Sequence, residues 1–102
     1  MQLVRLNMET LWKLYNNGGN SMISNQILQN TLDGLKTITR IDLSVVDMEG
    51  KTLATTFSQP RDCVKEVKAF VESPAESQVI QNFQFFKVYD EQQLEYVLIA
   101  NG

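Results

Sequence analysis

Apolar residues along this chain change period at regular intervals, and the changes mark out its elements. Between residues 24 and 39, Ile27, Leu28, Thr31, Leu32, Leu35 and Ile38 recur every three to four positions. That is the period of one helical face, and Ser24 has the side chain of an N-cap, so a helix is predicted over about 24–39. The period then falls to two. Ile41–Asp47 (IDLSVVD) alternates and is β-rich, Glu49-Gly50 is a tight-turn pair, and Thr52–Phe57 (TLATTF) reads as the returning strand. Ser58-Gln59-Pro60 predicts the opening of a second helix, with Pro60 in its first turn. Val64, Val67, Phe70 and Val71 mark its buried face, and Ser73-Pro74 stops it. Ala75–Gln78 reads as loop. Gln81–Tyr89 (QNFQFFKVY) and Leu94–Ala100 (LEYVLIA) are two more strands, joined by the polar Asp90-Glu91-Gln92-Gln93, with a short fifth strand around Val79-Ile80.

The order helix, hairpin, helix, hairpin predicts an α+β domain: an antiparallel sheet of four to five strands with helices packed on it. Small sensor folds of the PAS and GAF kind have this layout, as do profilin-like and roadblock-like modules. In the strand 81–89, Phe83, Phe85, Lys87 and Tyr89 share one face while Phe86 and Val88 take the other. Both faces are thus apolar, and one layer of helices does not account for that. A second layer, a partner or a pocket is expected on the far side.

Ahead of this pattern, residues 1–15 have helical spacing (Val4, Met8, Leu11, Trp12, Tyr15) with Arg5/Glu9 and Glu9/Lys13 at i,i+4. Asn16-Asn17-Gly18-Gly19-Asn20 interrupts them. Two readings stand side by side for residues 1–21. Gly18-Gly19 is a flexible joint after an extra helix, or its codons spell a ribosome-binding sequence and translation starts naturally at Met22. The expected division is therefore 1–21, leader or extra helix plus linker, and 22–102, the sensory-type domain. The chain stops just after a strand that reads as a central sheet member, so it is expected to be a fragment of a longer protein.

Composition narrows the chemistry. The chain has 102 residues, 43% hydrophobic and 21% charged, which is ordinary for one globular domain. A net charge of −3 disfavours direct nucleic-acid contact, which needs a basic face. With no histidine and one cysteine, Cys63, the sequence holds no His-based triad, no Cys–His dyad, no His-ligated metal and no internal disulfide. Its carboxylates are scattered: Asp42 and Asp47 lie on opposite strand faces, and Asp90-Glu91 in a turn. Cys63 reads as a packing residue. No phosphate-binding glycine loop and no calcium loop is present. The expectation is a protein that is not an enzyme and uses no cofactor and no metal. Without a signal peptide or an apolar run long enough to span a bilayer, the expected compartment is the cytoplasm, with no membrane partner.

Among the cations Arg40, Lys51, Arg61, Lys65, Lys68 and Lys87, two are the better candidates for meeting an anionic ligand. Arg40 stands at a helix-to-strand junction and Lys87 on the aromatic strand. The candidate ligand-binding set is Arg40, Phe85, Lys87 and Tyr89.

The stretch MISNQILQNTLDGLKTITRIDLSVVDMEGKTLATTF, with AFVESPAESQVIQNFQFFKVYDEQQLEYVLIANG, resembles the N-terminal sensory region of carbohydrate-diacid-regulator or PucR-type bacterial transcription factors. The resemblance covers about residues 22–102 and is to continuous text, with no ligand motif to carry over. It implies a domain that senses a small metabolite, such as a sugar diacid. The expected partners are a small anionic metabolite and, from the apolar strand faces, a second copy in a homodimer. DNA would be met only through a C-terminal helix-turn-helix that this chain does not contain. The alternative is a dimerisation or protein-interaction module without a ligand pocket.

Overall fold

The computed structural model describes residues 25–59, 62–90 and 92–101. The expectations for residues 1–21, Met22, the Ser24 cap, Pro60, Arg61 and Glu91 fall outside those residues. The elements run α1 (Asn25–Thr39), β1 (Asp42–Val46), β2 (Thr52–Thr55), α2 (Val64–Glu72), β3 (Ser77–Ile80), β4 (Phe83–Asp90) and β5 (Gln93–Asn101). The strands form one antiparallel sheet in the order β2-β1-β5-β4-β3. The fold is the expected α+β sheet with helices packed on it.

The two apolar faces of β4 are explained by a helix on each side. On one face, Leu28, Leu32 and Leu35 of α1 cluster with Leu43, Val45, Ala54, Phe86, Val88, Leu98 and Ala100. On the other, Val67 and Phe70 of α2 cluster with Val46, Phe85, Val97 and Ile99. Period-two alternation sends neighbours such as Val45 and Val46, or Phe85 and Phe86, into different clusters. At about 25 cal/mol per Å² of apolar area, each of these clusters is worth many kcal/mol against chain entropy. Cys63 is half-buried and packs on the α2 side.

Local polar groups fix the connections. Asp47 accepts from the backbone N–H groups of Glu49 and Lys51 through Oδ1, both at 2.9 Å, and the Gly50 N–H donates to the Asp47 carbonyl at 3.0 Å. Gly50 has φ 91°, and a Cβ there would lie 2.7 Å from Val64 Cα, so the β1–β2 turn seats directly against the start of α2. Gln29 of α1 holds the outer edge of β2: its Nε2 donates to the Thr55 carbonyl at 2.8 Å and its Oε1 accepts from the Thr55 N–H at 3.1 Å.

Several expectations need correction. Ile27 and Ile38 share the helical period but are 51% and 57% exposed, because the buried stripe of α1 is the narrower Leu28-Thr31-Leu32-Leu35. The second helix starts at Val64 rather than in the 58–60 segment. Asp62 Oδ1 accepts the Val64 N–H at 3.1 Å and sets the later start. Val64 and Val71 are half-buried, since one turn of α2 carries the contact through Val67 and Phe70. Ser77-Gln78, expected as loop, belong to β3, whose existence the Val79-Ile80 reading anticipated. Gln81-Asn82 form a turn rather than the start of β4, both with positive φ (51° and 71°), the sign pattern of a type I′ hairpin.

Candidate functional site

The four sequence candidates do not converge on one spot. Arg40 follows the last turn of α1 at φ 63°, exposed, with its N–H donating to the Lys36 carbonyl at 2.7 Å. This is the left-handed residue that ends many helices, usually a glycine. The adjacent β1 begins where Asp42 pairs with Asn101, whereas Tyr89 pairs with Leu94 at the opposite end of β5. Seven residues of strand separate those levels, roughly 23 Å. Arg40 is therefore remote from Tyr89, and it ends α1, the helix on the opposite face of the sheet from Phe85 and Lys87.

Phe85, Lys87 and Tyr89 do lie on the α2 side of β4, in three different environments. Phe85 is core, 1% exposed, with its ring edge-on to Phe70 at 5.9 Å between centroids. Tyr89 is 43% exposed and donates its hydroxyl to Glu76 Oε2 at 2.8 Å. That bond to a carboxylate favours the neutral phenol and raises the Tyr89 pKa above its ordinary value, with smaller contributions from desolvation and the negative charge of Glu76.

Lys87 is the unusual one. It is only 6% exposed, although lysine is rarely buried without a partner. Its ammonium donates to the carbonyl of Ser73, the C-cap of α2, and stands 5.2 Å from the centroid of the Phe70 ring. A helix C-terminus and an aromatic face both favour a cation, each by about 1 kcal/mol. Among the described residues the ion pair present is Lys36–Asp42 at 2.8 Å, on the α1–β1 side. Lys87 has no carboxylate within salt-bridge distance among them. The Lys87 N–H also donates to the Glu76 carbonyl at 3.0 Å, so the backbone that carries Lys87 is bonded to the residue that holds Tyr89.

The resulting group is Ser73, Glu76, Lys87 and Tyr89, gathered where α2 ends and β3 begins. Lys87 and Tyr89 were legible from the strand pattern. Ser73 and Glu76 were not, because their contact with β4 depends on the chain reversing through Pro74 into β3. Chemically the group offers one buried positive charge beside hydroxyl and carboxylate functions. Among the described residues no cluster of three acidic or sulfur ligands gathers to hold a metal ion, and no helix is long and apolar enough to cross a membrane.

No protein-family model matches this chain, and no curated protein matches it.

Proposed function

We propose that this domain is a signal-sensing regulatory module in which Lys87 reads a small anionic metabolite. The observation that carries the reading is the buried Lys87 ammonium, held by a carbonyl and a ring face without a carboxylate counter-ion among the described residues. Lysine is rarely buried without a carboxylate partner, which makes this position a candidate for function. A carboxylate ligand would give the Lys87 ammonium an anionic acceptor in addition to the neutral Ser73 carbonyl. Ser73 and Glu76 flank the linkage between α2 and β3, so a ligand at Lys87 would bias how α2 seats on the sheet. The resemblance of residues 22–102 to sensory regions of diacid-responsive regulators supports the choice of an anionic metabolite. It also supports a cytoplasmic, non-catalytic role that reaches DNA through another part of the regulator.

The test is a thermal-shift screen of the chain with sugar diacids, other dicarboxylates, amino acids and purine catabolites, run beside Lys87→Met. At ten times its Kd a ligand stabilises by about 1.4 kcal/mol, roughly 7 °C for a domain of this size. The expected result is at least one dicarboxylate that raises the melting temperature of the parent chain and leaves the folded Met variant unmoved. A panel that moves neither protein, or moves both alike, sinks the reading.

A further inference from the structure

We propose that the outer edge of β3 pairs with the same edge of a second copy of this chain, antiparallel across a two-fold axis at Val79. Two five-stranded sheets would thereby join into one. This contact does not depend on Lys87 reading an anion.

The fold treats its two sheet edges differently. At β2, the Gln29 amide occupies both outward backbone groups of Thr55, as a neighbouring strand would. At β3, the Glu76 carbonyl accepts from Lys87, and Gln78 and Ile80 pair with Phe85 and Phe83. Alternation along an antiparallel strand then turns the N–H and C=O of Val79 outward. The Val79 side chain is 66% exposed, more than any other large hydrophobic side chain among the described residues. Strand edges are ordinarily protected by lysine, proline or a bulge. Ser77–Ile80 (SQVI) contains neither residue, and its pairing with β4 runs without a register shift.

The same strand fits this edge by its own pattern. With Val79 opposite its counterpart, each Val79 N–H donates to the other's carbonyl, and the two exposed valines cover each other. Gln78 then stands opposite Ile80, and Glu76 opposite Asn82. No like charges meet along the seam, and the four strand residues are uncharged. The net charge of −3 on each copy opposes the approach at long range, so added salt should strengthen the pair.

Sedimentation analysis of the whole chain from micromolar to millimolar concentration tests the proposal, with Val79→Lys and with Val79→Cys in a Cys63→Ser background. The expected results are a dimer for the parent, a folded monomer for Val79→Lys, and a disulfide-linked dimer for the cysteine variant on mild oxidation. Paired Cα atoms at such a position are about 5.5 Å apart, within disulfide range. A parent chain that stays monomeric throughout overturns the proposal. So does a dimer that survives Val79→Lys, which would move the interface to another surface such as the Ile27–Ile38 flank of α1.

Discussion

At the scale of single residues, three positions are held in conformations or charge states that their side chains make measurable. Arg40 sits at φ 63°, a region that disfavours residues with a Cβ. Arg40→Gly should therefore stabilise the fold by ~0.5–1 kcal/mol in urea unfolding, despite the greater freedom glycine has when unfolded. Gly50 is the opposite case. Gly50→Ala meets both a positive φ and the backbone of Val64, and should destabilise by ~1–3 kcal/mol in the same measurement. Asp42 accepts hydrogen bonds from Lys36 at 2.8 Å and from Thr56 at 3.0 Å, which hold its carboxyl below the usual carboxylate range. Its contribution is then complete above the unfolded value near ~3.9 and is lost as pH falls through the lower folded value. Melting temperature followed from about pH 5 down to about pH 2 should fall less steeply in Asp42→Asn than in the parent chain.

At the scale of elements, edges and turns decide more than propensity does. Gln29 reaches from α1 to close the β2 edge, so Gln29→Leu should cost ~1–2 kcal/mol by leaving Thr55 short of two partners. Retained far-UV circular dichroism with a lower urea midpoint would be the signature. At the β3–β4 turn, Gln81 and Asn82 both adopt positive φ. Asn82→Gly should leave the hairpin intact and raise the urea midpoint slightly, since type I′ turns favour glycine at that place. Period-two and period-3.6 patterns located α1, β1, β2, β4 and β5 in the sequence. The start of α2 and the body of β3 were harder to read for a local reason. A serine, glutamine and proline cluster is compatible with a helix entry, a turn or an edge strand, and neighbours choose among them.

At the scale of the whole molecule, a sheet with a helix on each face has two cores that share every central strand. Val45 and Val46, adjacent in sequence, serve different cores. Leu32→Ala on the α1 side (~2–5 kcal/mol) and Phe70→Ala on the α2 side (~3–5 kcal/mol) should each lower global stability without splitting the unfolding transition. Circular dichroism that resolved two steps for either variant would contradict this coupling. Lys87 belongs to the same scale, because its burial depends on α2 closing over β4. Methionine keeps the length and apolar packing of the lysine stem beside Phe70, so Lys87→Met should remain folded in urea unfolding.

The periods of the apolar positions determined by themselves that this chain makes an antiparallel α+β sheet, because a helix burying one stripe repeats every three to four residues and a strand sends alternate side chains to its two faces. The residue inventory placed Lys87 and Tyr89 on one strand face for the same reason. Tertiary structure alone decided that the helices lie on opposite faces, that Glu76 and Ser73 meet β4, and that Arg40 stands at the opposite end of the sheet from Tyr89. Those facts depend on contacts between residues distant in sequence, and a local pattern specifies which face is apolar without saying what will cover it.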